Sequence, residues 1–287
     1  MTTTIWINGQ FKSRDDASVS VFDHGLLYGD GVFEGIRAYG GRIFRLGEHV
    51  DRLFASAKSI WLDPGMSPAE MARMVEEAQT KSGIKDSYIR LVITRGVGDL
   101  GMDPRKCEKP TVFCIVDTIA LWPRDRYERG LTCITAATPI SHKENLSPRV
   151  KSLNYLSHIL AKIESVAANV DEAIMLDSAG YVAEASGMNL FCARRGVIKT
   201  PPPYSGILRG VTRDALIELA RDANYGVVEE PLNRYDLYSA DEVFLSGTAA
   251  EIAAVTKLDG RVIGSGVSGP IVADLSRRFR ALVTRGD

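Results

Sequence analysis

The chain has 287 residues, of which 45% are apolar and 25% are charged, and its formal net charge is −1. This composition is typical of a globular protein that is long enough to bury a full core in two domains. The balanced charge excludes a general attraction to nucleic acid or to an anionic membrane. We also expect no membrane span, because no apolar stretch of the sequence is long enough to cross a bilayer.

The cysteines and histidines are few and scattered. The four cysteines, at positions 107, 114, 133 and 192, form no Cys-x-x-Cys pair, and there are four histidines. A zinc site is therefore not expected, and the cysteines are expected to be plain buried thiols in a reducing compartment. The first ten residues lack the basic and apolar regions of a signal peptide. We therefore predict a cytoplasmic protein without a metal ion.

Hairpin and helix patterns alternate in the first third of the chain. The turns at Asn8-Gly9 and Gly40-Gly41, each between β-prone runs, predict hairpins. Apolar residues at helical spacing predict a helix over 48–61, with Trp61 at the end of its apolar face. Ser67 and Glu70 form a capping box that predicts the start of a second helix. Strands are predicted over 87–94 and 111–117.

A polar, proline-bearing segment at 118–130 has no hydrophobic period and is predicted to be a linker. It would join a smaller α/β N-terminal domain, residues 1–117, to a larger C-terminal domain, residues 131–287. Strands and helices are mixed without a regular βαβ rhythm, so the predicted fold class is α+β. The larger domain is predicted to contain a strand at 131–137, a hairpin at 172–185, and helices near 153–168, 212–223 and 267–282.

Two residues are chemical candidates. Lys151 lies directly before an apolar helix, where burial would favour the neutral amine that Schiff-base formation needs, and Tyr155 follows four residues later. Glu184 ends a β-prone run beside small residues, where a planar ring could approach. From spacing alone, a solvated lysine and an exposed glutamate at a strand end are the commoner interpretations.

Two glycine-containing turns are candidates for a phosphate site. Residues 208–214 and 246–251 each open onto a helical pattern, so each is expected to present backbone N–H groups and a threonine hydroxyl to an anion. Each also fits an ordinary helix cap. Neither has the Gly-Lys-Ser/Thr ending of a P-loop.

Taken together and in order, these segments resemble the fold-type IV pyridoxal-phosphate (PLP) enzymes, and most closely the branched-chain amino acid aminotransferases. The resemblance extends from residues 28–37 to residues 259–261, which is nearly the whole chain. It implies an α+β fold of the D-amino acid aminotransferase type, with the PLP cofactor between the two domains and held mainly by the larger one. It also implies a homodimer, or a higher oligomer built from it, because Tyr28 matches a residue that enters the neighbouring subunit's site.

The resemblance implies a cofactor role for each matching residue. Lys151 corresponds to the Schiff-base lysine, Glu184 to the partner of the pyridinium nitrogen, and Tyr155 to the donor to the ring's phenolic oxygen. Arg52 corresponds to the phosphate-binding arginine, and Leu208 to the residue packed on the ring face. The other phosphate ligands that it implies are Val211, Thr212 and Thr248.

Substrate residues are implied in the same way. Tyr88 and Arg90 match a Tyr-x-Arg motif on a pocket-lining strand, where residues two apart share a face. Tyr88 and the backbone N–H groups of Thr248 and Ala249 are expected to hold the substrate α-carboxylate. Arg90 is expected to receive the side-chain carboxylate of glutamate or 2-oxoglutarate.

The implied reaction is transfer of an amino group between branched-chain L-amino acids (Leu, Ile, Val) and 2-oxoglutarate, so the expected partners are small molecules. Phe33 and Tyr155 would line the apolar part of the pocket, and Arg37 and Arg95 have no assigned role. Two alternatives of the same fold stay open, a D-amino acid transaminase and an aminodeoxychorismate-type lyase. The loop at 95–102 departs from the better-known bacterial pattern and leaves the substrate preference open.

Overall fold

The computed structural model of the protein describes residues 3–285, so residues 1–2 and 286–287 of the two predicted domains lie outside the described part. The chain divides into two compact units, each described by itself below. Unit 1 is formed by Met1–Ile119 and Val150–Asn154, and unit 2 by Ala120–Arg149 and Tyr155–Asp287. Within residues 3–285, no helix is both long enough and apolar enough to cross a membrane.

Unit 1 is built on one antiparallel sheet. Its strands are β1 (Thr4–Ile7), β2 (Gln10–Lys12), β3 (Gly31–Tyr39), β4 (Arg42–Ile43), β5 (Ser87–Thr94) and β6 (Thr111–Asp117), and its helices are α1 (His24–Tyr28), α2 (Leu46–Ser59) and α3 (Pro68–Ser82). The strand order is β2-β1-β6-β5-β3-β4, and every neighbouring pair is antiparallel.

One face of this sheet is apolar and packs against helices. Ile36 of β3 and Ile89 and Leu91 of β5 are fully buried, in one core with apolar side chains of α2 and α3. Successive side chains of a strand point to opposite faces. The intervening residues of these strands, among them Phe33 and Tyr88, therefore lie on the other face, away from this core.

Unit 2 is built on a larger, mixed sheet. Its strands are β7 (Leu131–Thr135), β8 (Glu172–Leu176), β9 (Val182–Ala185), β10 (Asn189–Arg194), β11 (Val197–Thr200), β12 (Gly226–Glu229), β13 (Glu242–Gly247), β14 (Glu251–Leu258) and β15 (Arg261–Val262). Its helices are α4 (Arg124–Arg129), α5 (Leu156–Ala167), α6 (Val211–Asp222), α7 (Arg234–Tyr238) and α8 (Pro270–Arg285). The order is β12-β11-β10-β13-β14-β7-β8-β9, with β15 paired to β14.

The strands of unit 2 pair in both directions. The pairs β11/β12, β14/β7 and β7/β8 are parallel, and the other pairs are antiparallel. Phe191 of β10 and Phe244 of β13 are register partners, and their buried rings stack with centroids 5.0 Å apart. Helices α6 and α8 pack against each other and against β13. These contacts hold α6 in place on the sheet.

Several predicted elements are confirmed closely. Strands β5 and β6 occupy the predicted residues, and the capping box of Ser67 and Glu70 begins α3. The hairpin predicted over 172–185 is formed by β8 and β9. The segment predicted as a linker contains the short helix α4.

Two local expectations are wrong. Trp61 does not belong to the buried face of α2, because the helix ends at Ser59 and Trp61 has a positive φ of 55° and is 74% exposed. The turn at 246–251 does not begin a helix. Strands β13 and β14 pair across it with Gly247 opposite Glu251, so the chain reverses directly.

Candidate active site

Lys151 lies in a short segment that runs beside β3. Its carbonyl accepts a hydrogen bond from the N–H of Phe33, and the N–H of Leu153 donates to the carbonyl of Gly31, both at 2.9 Å. On its other side, the N–H of Lys151 donates to the hydroxyl of Ser56 on α2, at 3.2 Å. The backbone of the lysine is therefore fixed by two elements, while its side chain is half-buried.

The sheet face beside Lys151 combines aromatic rings with an arginine. Lys151 Nζ lies 4.5 Å from the centroid of the Phe33 ring, and the guanidinium carbon of Arg90 lies 4.7 Å from the same centroid. Arg90 Nη2 donates to the Tyr88 hydroxyl at 3.0 Å. A Cβ on Gly35 would lie 2.1 Å from that hydroxyl, so glycine is needed here to leave room for Tyr88. The structure thus brings these four predicted residues together.

Arg52 is held by a buried carboxylate. Its Nε and Nη2 donate to the two carboxylate oxygens of Glu34, each at 2.7 Å, and Nδ1 of His49 donates to the same group at 2.8 Å. Burial by itself raises the pKa of Glu34, but the charge of Arg52 and the hydrogen bonds from Arg52 and His49 outweigh it and lower the pKa to about 2. Glu34 is therefore ionised at neutral pH and orients the guanidinium of Arg52.

The structure distinguishes the two arginines that the sequence left without a role. Arg95 donates to both carboxylate oxygens of Asp30 at 2.9 Å and to the carbonyls of residues 60–61 at 2.7 and 2.6 Å. These contacts brace the chain that follows α2. Arg37 instead lies opposite Tyr88 in the β3/β5 register, on the same sheet face as the Tyr88 side chain.

Tyr28, at the end of α1, is tied to the loop that follows β5. Its hydroxyl donates to the carbonyl of Leu100 at 2.5 Å. The ring of His24 packs edge-on against Tyr28, and Nε2 of His24 donates to the carbonyl of Asp99 at 2.8 Å. Tyr28 is 39% exposed in the single chain. This segment therefore presents Tyr28 at the surface of unit 1, on a firm support.

In unit 2, Glu184 is buried near the end of β9. Its Oε2 accepts hydrogen bonds from Asn189 Nδ2 at 3.0 Å and from the N–H of Leu208 at 3.1 Å. Asn189 Nδ2 also donates to the carbonyl of Leu208 at 2.8 Å. Glu184 and Asn189 are each 5% exposed. The structure therefore excludes the exposed strand-end glutamate that spacing alone would favour.

Helix α6 begins three residues after Leu208 and lacks a side-chain cap. Its N-cap is Gly210, and Val211 and Thr212 in its first turn are buried. The first N–H groups of a helix have no partner within the helix, and they form the positive end of its dipole. The start of this 12-residue helix can therefore bind phosphate oxygens.

The remaining predicted residues of unit 2 lie in a turn and at a helix start. Thr248 and Ala249 are half-buried in the turn between β13 and β14. The hydroxyl of Ser246, at the end of β13, is buried and has no hydrogen-bond partner among the described residues. Tyr155 precedes α5, and its ring stacks on that of His158 at 4.6 Å.

Each unit, taken by itself, contains side chains that suit part of a phosphorylated aromatic aldehyde such as PLP. Unit 1 offers a fixed lysine, which such a cofactor requires, and an oriented arginine for its phosphate. Unit 2 offers a buried carboxylate for a ring nitrogen, an uncapped helix start for an anion, and the unpartnered Ser246 hydroxyl. Within the described residues, no group of three or more His, Cys, Asp or Glu side chains could hold a metal ion.

Comparison with known proteins identifies the family. Residues 31–258 match the family described as amino-transferase class IV. A Methanocaldococcus jannaschii protein, whose name provisionally assigns it to the branched-chain-amino-acid aminotransferases, is 52% identical over 98% of this chain and 96% of its own length. The Escherichia coli K12 branched-chain-amino-acid aminotransferase is 38% identical, over 98% of this chain and 93% of that enzyme.

A solved structure is similar over the same extent. The T.th. branched-chain amino acid aminotransferase, complexed with N-(5'-phosphopyridoxyl)-L-glutamate, matches with a TM-score of 0.93 and 38% identity, over 99% of this chain and 95% of that one. The same enzyme has been solved with pyridoxamine 5'-phosphate and with 4-methylvaleric acid. This chain therefore belongs to the class IV aminotransferases, and the family and fold class predicted from the sequence are confirmed.

Sequence reasoning did not find every residue of the site. Glu34, His49, Ser56 and Asn189 lie in or beside the matched segments, but no role was predicted for them. One signal was available for Glu34, because it is a charged residue at a position of β3 where the alternation requires an apolar side chain. Nothing in the sequence indicates the hydrogen bonds of Asn189, since its partners lie five and nineteen positions away.

Proposed function

We propose that this chain is a PLP-dependent branched-chain amino acid aminotransferase, which moves an amino group between leucine, isoleucine or valine and 2-oxoglutarate. The observation that carries the proposal is the cluster of Lys151, Phe33, Tyr88 and Arg90 on one sheet face. Aromatic rings suit an apolar side chain, and one arginine among them suits a carboxylate that would otherwise be buried unpaired. Such a pocket accepts both leucine-like and glutamate-like substrates. The ligands of the T.th. relative are of these two types.

In this proposal, two residues of unit 1 hold the cofactor. The amine of Lys151 would hold the aldehyde of the cofactor, and as a general base it would move a proton at the substrate α-carbon. The guanidinium of Arg52 binds the phosphate, in the orientation that Glu34 sets. PLP, when bound, supplies the electron sink that makes this proton transfer possible.

Residues of unit 2 are assigned to the same cofactor. Glu184 keeps a proton on the ring nitrogen, Tyr155 donates to the phenolic oxygen, and Leu208 packs on the ring face. The phosphate receives hydrogen bonds at the start of α6 and in the β13–β14 turn. The residues proposed to donate them are Val211, Thr212 and Thr248.

Substrate orientation is assigned to polar groups at the edge of the pocket. The Tyr88 hydroxyl and the N–H groups of Thr248 and Ala249 bind the α-carboxylate. Arg90 binds a side-chain carboxylate, and its hydrogen bond to Tyr88 keeps the guanidinium at the pocket edge.

A donor panel tests the proposed activity. Both enantiomers of leucine, isoleucine, valine and alanine are incubated with 2-oxoglutarate, and the 2-oxo acids formed are measured. We expect turnover of the L-enantiomers of the branched-chain acids, and its loss in Lys151→Ala but not in Lys58→Ala, a control at an exposed lysine of α2. Turnover confined to D-amino acids would favour a D-amino acid transaminase. Turnover that does not require 2-oxoglutarate would favour a lyase.

We also propose that the enzyme is a cytoplasmic homodimer. One face of α5 exposes five apolar side chains at helical spacing, which is unusual for a monomer. They are Leu156, Ile159, Leu160, Ile163 and Val166, each at least 45% exposed. The four cysteines are free, which suits a reducing compartment.

A further inference from the structure

Asn189 occupies a position where three parts of the proposed cofactor site meet. Its Nδ2 donates both to the Glu184 carboxylate, at 3.0 Å, and to the carbonyl of Leu208, at 2.8 Å. The N–H of Leu208 donates in turn to the same oxygen of Glu184, at 3.1 Å. These three hydrogen bonds close a ring of contacts among Glu184, Asn189 and Leu208. The amide of Asn189 is nine-tenths buried or more, so water does not replace it readily.

The other end of the amide is in close contact with the start of α6. A Cβ built on Gly210 would lie 2.1 Å from Asn189 Oδ1 and 3.3 Å from the Cβ of Arg213. Gly210 is the N-cap of α6, and its φ of −74° is open to any residue. The need for glycine here is therefore steric and comes from Asn189, since the backbone conformation does not require it.

We propose that Asn189 is a positioning residue that fixes the Glu184 carboxylate relative to the start of α6. The inference rests on the proposed function, in which Glu184 meets the ring nitrogen and α6 binds the phosphate. A carboxylate that accepts two N–H hydrogen bonds at one oxygen is held in one orientation, so Asn189 sets the direction in which this group meets the cofactor. Because Leu208 and Gly210 are only two residues apart, one amide sets the distance between the two groups that hold opposite ends of PLP.

The first test measures the cofactor without turnover. Apo-protein is titrated with pyridoxamine 5'-phosphate, which forms no covalent link to Lys151, and the ring nitrogen of the bound, ¹⁵N-labelled compound is followed by NMR as a function of pH. Asn189→Ala should weaken binding by about ten-fold to a hundred-fold, because the misoriented Glu184 carboxylate would lose its charged hydrogen bond to the ring nitrogen. The ring nitrogen should lose its proton at a lower pH than in the wild type.

Asn189→Asp keeps the shape of the side chain and gives a distinctive signature. An aspartate can donate to Glu184 only while it is protonated, because two carboxylates this close do not both ionise easily. The affinity of the Asn189→Asp variant for pyridoxamine 5'-phosphate should therefore fall as the pH rises through the neutral range. The affinity of the wild type should not show this fall. This variant also keeps the proposal testable if Asn189→Ala folds poorly.

Gly210→Ala provides an independent test through the steric contact. Its new Cβ should displace the Asn189 amide and reproduce the weaker binding of Asn189→Ala. In the double variant Gly210→Ala/Asn189→Ala the clash is absent, so the loss should be smaller than the sum of the two single losses. Additive losses would show that the two residues act separately and would overturn the proposal.

Two controls separate this inference from the proposed function. Asn233→Ala removes an asparagine that caps α7, outside the site, and should lower stability without changing either cofactor measurement. Glu184→Gln should lower the pH at which the ring nitrogen titrates. If Glu184→Gln has this effect and Asn189→Ala has none on binding or titration, Asn189 has no positioning role. If Glu184→Gln also has no effect, the assignment of Glu184 is itself wrong and the inference fails with it.

Discussion

At the scale of single residues, partners rather than charge distinguish the arginines of unit 1. Arg52 is paired with the buried Glu34. Arg95 is paired with Asp30 and with two carbonyls of the chain that follows α2, so its guanidinium has a structural task. Arg90 donates to the Tyr88 hydroxyl and lies over the Phe33 ring. These contacts agree with the proposal that Arg90 meets a substrate carboxylate.

Substitution by methionine should slow the half-reaction with one substrate selectively at Arg90, but should affect both half-reactions and the stability at Arg95. Arg90→Met should slow the half-reaction with glutamate by roughly thirty-fold to several thousand-fold, because loss of one member of a desolvated charge pair costs about 2–5 kcal/mol. The half-reaction with leucine should change much less, since leucine has no side-chain carboxylate. Stopped-flow rates of the two half-reactions, measured separately, make the comparison.

Arg95→Met serves as the matched variant in that experiment. It should lower the free energy of unfolding by about 3–5 kcal/mol, because it leaves a charge and two carbonyls without their partner. It should affect both half-reactions alike. An equal loss for leucine and glutamate in Arg90→Met would show that Arg90 braces the sheet and is not the carboxylate receptor.

At the scale of helices and strands, the sequence predicted an element correctly where its hydrophobic period and its capping or turn residues indicate the same structure. The capping box of Ser67 and the alternation of β5 are local features, so their positions follow from sequence. The predictions for Trp61 and for the 246–251 turn were wrong. An apolar residue just beyond a helix end has the same spacing as one inside the helix, and a glycine turn can lead into a helix or into a strand. Arg52 and Glu184 have hydrogen-bond partners that lie 18 and 24 positions away in the sequence, Glu34 and Leu208, and no local pattern contains such contacts.

The exposed apolar face of α5 carries a prediction at this scale. Ile159 and Ile163 are 52% and 55% exposed on that face. If the face lies in a dimer interface, the double substitution Ile159→Glu/Ile163→Glu should bury two unpaired charges and separate the subunits. Sedimentation velocity at several concentrations should then show a monomer. Val262→Glu, at an isolated exposed valine of β15, should leave the assembly of the wild type unchanged. A double variant that sediments like the wild type would remove α5 from the interface.

At the scale of the whole molecule, the buried pair of Glu34 and Arg52 predicts how stability depends on pH. The pKa of Glu34 falls from 4.5 to about 2 on folding. A carboxyl whose pKa is lower in the folded chain stabilises the fold above its unfolded pKa, and this contribution is lost as the pH falls from about 4.5 towards 2. At about 1.4 kcal/mol for each pH unit between the two pKa values, it is on the order of 3 kcal/mol.

Urea unfolding of the wild type and Glu34→Gln, at pH 7 and near pH 3, measures this contribution. The variant should be clearly less stable at pH 7, and the difference should shrink at the lower pH. Glu48→Gln is the control, because Glu48, in the first turn of α2, is 50% exposed where it pairs with Arg45, the N-cap residue of that helix. Its effect should stay within about 0.5 kcal/mol. A difference for Glu34→Gln that does not depend on pH would mean that folding does not lower the pKa of the Glu34 carboxyl.

Hybrid dimers test whether the whole assembly, rather than one chain, completes each site. The resemblance places Tyr28 in the site of the partner, and the structure holds Tyr28 at the surface of unit 1 through its bond to Leu100. Tyr28→Ala and Lys151→Ala homodimers should each have two defective sites. In the heterodimer, the site that keeps Lys151 receives Tyr28 from the Lys151→Ala chain, so one of the two sites is whole. Heterodimers purified through two different affinity tags should therefore recover leucine turnover that neither parent shows. No recovery in confirmed heterodimers would mean that Tyr28 acts within its own chain, and the two substitutions would then disable sites independently.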